Sequence, residues 1–306
     1  MKTTLRSLDG ERDLAAMLAL AASSLDRNLH VVDLPYRLSS WALDEAANSA
    51  LWEDGRGRLA AWAVLQAPFW SIDFALRPDA EAHLFSAILD WADARAWDAR
   101  GTHHERASWF VHVFRDQADR LRRLDAAGFT CQADVGEDSW SRVLLRRVAP
   151  APEAAASEPG YIVRPLAGRV EVPAYVELHR AAFESKNMTE EWRERTLTAA
   201  HHLSDTDLVA TRPDGRLAGF CIGWLRPGER PVGQIEPLGV EAEHRECGLG
   251  LALLSECVRR LTEHGAESIL VETDTYRTPA LGLYESLGFE TVRDVLVYRR
   301  DVAATH

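Results

Sequence analysis

Apolar residues along the chain recur at two spacings. A three-to-four spacing predicts an amphipathic helix, and alternation or a short unbroken run predicts a strand. In the first half these rules give a strand over 5–8, a helix over 11–24 and a helix over 44–52. The stretch Trp52 to Gly57 reads as a strand end and a turn, followed by strands over 58–65 and 69–76. A helix over 80–96 places Leu84, Ile88 and Trp91 on one face. A strand over 108–114, a helix over 118–127 and an alternating strand over 139–148 complete the half. The second half reads as a strand over 161–164, helices over 171–184 and 190–200, and a hairpin of 207–211 with 216–225 around Pro213-Asp214-Gly215. Strands over 234–240, 268–274 and 292–300 follow. Between them lie a helix bearing Leu251, Leu254, Val258 and Leu261 on one face and a helix over 279–287.

The order of elements repeats, and so do residues. Leu5-Arg6-Ser7-Leu8-Asp9-Gly10 returns 158 positions later as Val163-Arg164-Pro165-Leu166-Ala167-Gly168. Gly57-Arg58-Leu59-Ala60 returns at the same offset as Gly215-Arg216-Leu217-Ala218. Leu124 to Phe129 returns at an offset of 160 as Tyr284 to Phe289. A near-constant offset over a domain length implies tandem duplication. Between the copies, APAPEAAASEPG lacks apolar periodicity and reads as a linker. The expected domains are 1–150 and 161–306, with a linker over 151–160.

The copies differ most after the strand over 234–240. There the second copy has Arg245-Glu246-Cys247-Gly248-Leu249-Gly250, and a helix follows at once. A strand, a glycine-bearing turn and a helix N-terminus form a site for phosphate or pyrophosphate. Free N–H groups face the ligand, the helix dipole favours negative charge, and Arg245 adds a guanidinium. The turn is neither a P-loop nor a dinucleotide fingerprint, because Gly-Lys-Ser/Thr and Gly-x-Gly-x-x-Gly are absent. The first copy has Pro78-Asp79-Ala80-Glu81-Ala82-His83 instead, without the arginine or the glycines and with two added carboxylates that would repel an anion.

Three elements in order carry a family resemblance: Leu238-Gly239-Val240, the turn Arg245-x-x-Gly248-x-Gly250, and Leu283-Tyr284-Glu285-Ser286-Leu287-Gly288-Phe289. Together they resemble the GCN5-related N-acetyltransferase (GNAT) superfamily over about residues 160–300. The resemblance implies an α/β fold, a mixed and mostly antiparallel sheet flanked by helices, present here as a tandem duplication. A two-copy layout with the active domain second is similar in architecture to the mycothiol synthase branch, without carrying that substrate over. The resemblance implies acetyl-CoA as acyl donor and a primary amine as acceptor, reacting directly through a tetrahedral intermediate. It implies cofactor contacts at Leu238, Gly239 and Val240, at Arg245, Glu246, Cys247, Gly248, Leu249 and Gly250, and at Thr278, where many members have an asparagine. Tyr284 is the implied general acid, with Leu124 in its place in the first copy. Glu236 is the expected base or ammonium anchor, with Glu272 an alternative and Asp274 on the same strand face. His179 is a further option for base, expected as a helix-surface residue. Phe183, Met188, Trp192 and Trp224 are expected acceptor contacts, with Lys186 and Asn187 beside them. The first copy is expected to be degenerate, with a structural or substrate-walling role.

Charge narrows the partners. The chain of 306 residues has 35 Lys and Arg against 47 Asp and Glu, a formal net charge of −12. That argues against non-specific nucleic-acid binding and against docking on anionic membranes, and it favours a cationic amine. Cys131, Cys221, Cys247 and Cys257 lack metal-site or Cys-x-x-Cys spacing, and the histidine pairs 103–104 and 201–202 lack partners at zinc-site spacing. No metal is expected. A monomer or homodimer in the cytoplasm, acting on a small-molecule amine, is the expectation; a protein N-acetyltransferase and a non-catalytic acyl-CoA-binding module are its alternatives.

Overall fold

In a computed structural model of the protein, residues 3–148, 150–153, 155–156 and 159–302 are described. Ala154, Ser157 and Glu158 of the expected linker lie outside the described residues. The chain divides into two compact units. Unit 1 is Met1–Arg142 with Arg293–His306, and unit 2 is Val143–Val292.

Unit 1 contains β1 (Thr3–Arg6), α1 (Gly10–Ala22), α2 (Leu34–Leu38), β2 (Ser49–Asp54), β3 (Leu59–Gln66), β4 (Ser71–Leu76), α3 (Glu81–Asp98), β5 (Ser108–Phe114), α4 (Ala118–Ala126) and β6 (Thr130–Cys131). Unit 2 contains β7 (Arg142–Val148), β8 (Ile162–Pro165), α5 (Val172–Phe183), α6 (Glu190–Thr198), β9 (His202–Thr211), β10 (Leu217–Arg226), β11 (Val232–Val240), α7 (Leu249–Glu263), β12 (Ser268–Asp274) and α8 (Thr278–Ser286). The last strand, β13 (Glu290–Asp301), pairs with β5 and so completes unit 1. Strand order is β1-β2-β3-β4-β5-β13 in unit 1 and β7-β12-β11-β10-β9-β8 in unit 2. Most pairings are antiparallel, and β4–β5 and β11–β12 are parallel.

Period-two alternation covers both faces of the unit 1 sheet. Ala61, Ala63 and Leu65 of β3 pack with Leu84, Phe85, Ile88 and Leu89 of α3, while Trp62 and Val64 pack with Met17 and Leu20 of α1. In unit 2, Leu253, Leu254, Cys257, Val258 and Leu261 of α7 are fully buried over Ala218, Cys221 and Ile235. The strands beneath α7 are stripped of side chains. A Cβ on Gly223 would stand 2.7 Å from Cys257 Sγ, and one on Gly219 would stand 2.9 Å from Leu253 Cδ1.

Register makes the duplication concrete. Trp52 pairs with Ala61 and Glu53 with Leu59; 158 positions later Ala210 pairs with Gly219 and Thr211 with Leu217, with the same register shift. Asp13 accepts from Arg6 and from the backbone N–H of Asp9 (2.7 Å), and Glu171 accepts from Arg164 and from the backbone N–H of Ala167 (2.7 Å). Both copies thus tie their first strand to their first helix with one arginine and one carboxylate. The equivalence continues inward, because Gln66–Ser71 and Ser71–Phe110 in unit 1 correspond to Trp224–Gln234 and Gln234–Leu270 in unit 2. Asp73 therefore stands where Glu236 stands, and His112 where Glu272 stands.

One expected helix is corrected. Residues 44–52 form short helical turns at Trp41–Asp44 and Ala46–Asn48, and then β2. The alanines favour a helix locally, but β1 and β3 claim Ser49–Asp54 from both sides. Asn48, wholly buried, pins the preceding turn by donating to the Ala42 carbonyl (2.7 Å). The short helix α2 had no counterpart in the periodicity. No helix among the described residues is long and apolar enough to cross a membrane.

The bare strand surface beneath α7 yields a test. Gly223→Ala should cost about 1–3 kcal/mol by overpacking against Cys257 and Leu261. Urea unfolding should show an earlier transition; an unchanged midpoint would mean that α7 does not press on β10.

Candidate active site

The site of unit 2 begins where two parallel strands part. β11 pairs with β12 only at Val232–Ser268, Gly233–Ile269 and Gln234–Leu270, although β11 continues to Val240 and β12 to Asp274. On the other side, β11 pairs with β10 through Gly239–Phe220 and Val240–Gly219, with one extra residue in β11 between Ile235 and Leu238. That bulge contains Glu236 and Pro237, and proline supplies no N–H to a ladder. Trp224 Nε1 donates to the Glu236 carbonyl at 2.6 Å and holds the bulge from β10. Gly239 lies against Phe220, where a Cβ would meet the ring at 2.5 Å. Leu238 and Val240 are half-buried.

The chain then turns into α7. Arg245 donates through Nε to the Val240 carbonyl and through Nη2 to the Ala182 carbonyl, both at 3.2 Å. It therefore ties the turn to the ends of β11 and α5 and leaves Nη1 without a bond among the described residues. Glu246 has φ +64°, and Gly248, at the N-cap of α7, has φ +72°. The left-handed conformation at Gly248 excludes most side chains. Leu249, Gly250 and Leu251 open α7, where N–H groups have no acceptor within the helix. Gly250 lets α7 approach α8, since a Cβ there would lie 3.3 Å from Leu283 Cδ2. Cys247 is half-buried in the turn.

Tyr284 on α8 is buried, and its hydroxyl makes no hydrogen bond to the described residues. Burial pushes its pKa well above the usual phenol value, and the negative charge of Glu236 adds to the rise. The Tyr175 hydroxyl on α5 is fully buried and has no partner among the described residues. Its pKa is also raised, chiefly by burial and with the charges of Asp207 and Glu236 contributing. Glu236 thus acts on tyrosines from two helices. Tyr175 gives no sequence signal, because a lone tyrosine on an amphipathic helix reads as core. Glu272 is buried on β12, and Asp274 pairs with Arg277 at 2.9 Å. Thr278 opens α8 and is exposed.

The other expected acceptor residues fall differently. Phe183 is half-buried and packs edge-on against His179 and Phe220. Met188, Trp192 and Trp224 are buried and offer a ligand almost no surface in this conformation. Lys186 is exposed and Asn187 half-buried. His179 is not a surface residue as expected. It stacks on Phe220 at 5.4 Å, and burial drives its pKa down to about 3, aided by Arg193 and Arg180. Beneath Tyr175 lies a buried ion pair that sequence reading missed: Arg193 Nη2 donates to both Asp207 oxygens at 2.7 and 2.6 Å. The guanidinium lies 3.9 Å from the Tyr175 ring centroid, and His202 Nε2 is 2.9 Å from Asp207. Neither partner is close to the other in sequence, so spacing carried no hint of the pair.

Unit 1 also parts its parallel strands, since β4 and β5 pair at Ser71–Phe110 alone among the described residues, but the groups around that gap differ. Asp73, at the position of Glu236, is held by Arg37 through two bonds of 2.7 Å in a buried pair. At the start of α3, Glu81 pairs with Arg120 (2.6 Å) and Arg27 (3.1 Å). Leu124 fills the Tyr284 position and is fully buried.

Residues 172–289 match the sequence model of the Acetyltransferase (GNAT) family, a segment inside unit 2. Mycothiol acetyltransferase of Saccharomonospora viridis is 31% identical over 125 residues, which are 39% of this chain and 39% of that protein. The matched region therefore spans well under half of that curated relative. Similarity in fold extends over the whole chain. A GCN5-related N-acetyltransferase from Sphaerobacter thermophilus superposes with a TM-score of 0.66 at 18% identity, over 99% of this chain and 97% of that one. A tandem GNAT protein from the clavulanic acid biosynthesis pathway gives 0.66 at 14% identity, over all of both chains. The fold is the duplicated GNAT acetyltransferase architecture, α/β with mixed sheets flanked by helices.

The buried pair under Tyr175 gives the acid response a sign. Burial would raise the Asp207 carboxyl, but Arg193 and His202 outweigh it and hold its pKa below the ordinary value. Its stabilisation is full above the unfolded pKa of about 3.9 and drains away as pH falls through the lower folded pKa. Asp207→Asn should cost about 3–5 kcal/mol near neutrality by leaving Arg193 unpaired, and its loss of stability below pH ~4 should be shallower. Thermal midpoints across pH measure both effects; parallel curves would contradict this role for Asp207.

Proposed function

We propose that unit 2 is an acetyl-CoA-dependent N-acetyltransferase acting on the primary amine of a small molecule, and that unit 1 is a degenerate copy without this activity. The observation that carries the reading is the parting of β11 from β12 directly beside the turn over 245–250. Past Gln234, β11 has no strand partner on its β12 side among the described residues, so its backbone groups need another partner or water. The amide-bearing arm of acetyl-CoA fits that need as an added strand along Leu238–Val240. Its pyrophosphate fits the first-turn N–H groups of α7 and the remaining donors of Arg245. These contacts use main chain, which is why Gly239, Gly248 and Gly250 matter more there than side-chain identity.

Acetyl transfer breaks the thioester C–S bond and forms a C–N bond. The amine must shed a proton, and the departing sulfur must gain one. In this reading Glu236 takes the amine proton, directly or through water. Tyr284 is placed to give its hydroxyl proton to the sulfur and recover one from solvent. Its raised pKa keeps it protonated but makes it a reluctant acid. The Glu236 charge is part of that rise, so a proton arriving on Glu236 removes that part as the sulfur departs. The two groups are thereby coupled: accepting at one eases donating at the other. Glu272 and Asp274 add negative character that suits a cationic acceptor. Relatives named mycothiol acetyltransferase support a small-molecule acceptor.

Tyr284→Phe should lower kcat about 100-fold while leaving acetyl-CoA affinity near that of the native chain; equal loss of affinity would contradict its role as acid. Gly248→Glu should weaken acetyl-CoA binding strongly, through strain at φ +72° and repulsion of the diphosphate. Calorimetry showing unchanged affinity would remove the turn from the site.

A further inference from the structure

A cleft in unit 1, away from the groups compared with the unit 2 site above, is lined by hydrogen-bond donors, one of them buried without an acceptor among the described residues. Leu65, Ala67, Ala96 and Val302 supply apolar wall, together with Trp70 and Trp109. Its space is about 250 Å³ including the open mouth, of which the part that water-sized groups can enter admits about one water or one carboxylate oxygen. Besides Gln66 and Trp70, three lining side chains carry N–H groups. Trp109 is 1% exposed, and its Nε1–H has no partner among the described residues. Arg106 donates Nε to the Ala67 carbonyl and Nη1 to the carbonyls of His103 and Glu105, which leaves Nη2 without a bond among the described residues. No carboxylate among the described residues pairs with this guanidinium, and desolvation lowers its pKa.

His104 is the third donor. Asn48 Oδ1 accepts from Arg95 Nε (2.8 Å), and Nδ2 donates to Ala42 and lies 3.0 Å from His104 Nδ1. An amide nitrogen only donates, so Nδ1 is the acceptor and the proton of the neutral ring sits on Nε2. Burial pushes this histidine down to about 4, with His103, Arg95 and Arg106 reinforcing the shift against Glu45. The ring is therefore neutral near pH 7 and carries a fixed Nε2–H. The one acceptor side chain of the lining, Gln66, already accepts from Ser40 and donates to the Arg37 carbonyl.

The mouth adds a second, independent sign. Trp70 adopts φ +57°, a conformation costly for a bulky residue, and keeps 42% of its surface exposed. Arg106 lies 5.4 Å from its ring centroid and 5.7 Å from that of Trp41. Strain that holds an indole open beside an uncompensated guanidinium is the arrangement expected of a ligand site.

We propose that this cleft binds a small monocarboxylate, with one oxygen in the donor-lined throat and the organic part against the exposed face of Trp70. Guanidinium, indole N–H and imidazole N–H converge on an acceptor with negative charge, and the apolar wall selects an uncharged tail. The inference is independent of the activity assigned to unit 2.

The test uses the full chain, with sodium benzoate, sodium propionate and neutral benzamide titrated by calorimetry and by saturation-transfer NMR. The expected result is saturable benzoate binding, weaker propionate binding and no benzamide binding. Arg106→Gln should weaken benzoate at least about tenfold, and Trp109→Phe, which removes the N–H together with the pyrrole half of the indole, about threefold or more. Arg100→Gln is the surface control and should bind as the native chain does. Thermal melting reports whether each variant is folded; if Arg106→Gln is not, Trp109→Phe decides alone. Benzamide binding as well as benzoate, native affinity in the folded variants, or no saturation by about 20 mM would each overturn the proposal.

Discussion

The structure of unit 2 depends on a pairing that stops early. Two parallel strands share three residue pairs and then separate, while one of them gains a residue against its other neighbour. Backbone groups inside a fold need partners, so a gap of this kind persists only where something else holds the strands apart. Here the holders are identifiable. Trp224 grips the bulge by its carbonyl, the Phe220 ring fills the space left by the missing side chain of Gly239, and Arg245 fastens the end of β11 to the end of α5. The gap opens beside the first-turn N–H groups of α7, so in the proposed reading one constraint creates both a slot for a chain and a seat for an anion.

Duplication supplies an internal control. Unit 1 has the same registers and the same arginine–carboxylate clasp at its first helix, yet its corresponding site is closed by charge pairs. Asp73 cannot accept a proton from a substrate while Arg37 holds both its oxygens, and Glu81 with Arg120 and Arg27 occupies the start of α3. A buried pair of this kind need not add stability relative to an apolar core. Under the proposed function, its effect here is to remove a base and an anion seat from a framework whose registers are preserved. The donor-lined cleft lies elsewhere in unit 1, at Trp70, His104, Arg106 and Trp109.

Much of this was legible in the sequence because it rests on local rules. The turn over 245–250 is written in Gly248, whose left-handed conformation favours glycine, and in Gly250, which lets α7 approach α8; the offset of 158 survives in the hairpin turn at Gly57 and Gly215. What stayed hidden depends on partners distant in sequence. Residues 44–52 have helical composition, and only flanking strands make their end a strand. The alternation over 139–148 predicts a strand but not a sheet; β7 joins unit 2 beside β12, while β13 joins unit 1 beside β5. Two copies of one fold present similar edges, so the pattern cannot choose between them. Likewise Arg193 and Asp207 lie 14 positions apart, and only the packing of α6 on β9 turns two ordinary surface-type residues into a buried pair.

The central claim is that a thioester donor lies between β11 and β12 of unit 2, against the N-terminus of α7. Hydrogen–deuterium exchange with and without acetyl-CoA tests it most directly, since the contacts proposed are made by backbone N–H groups. The account predicts slowed exchange confined to residues 238–251 and the end of β12, with 71–85 of unit 1 unchanged. Protection of 71–85 instead, or no protection anywhere at saturating acetyl-CoA, would contradict it.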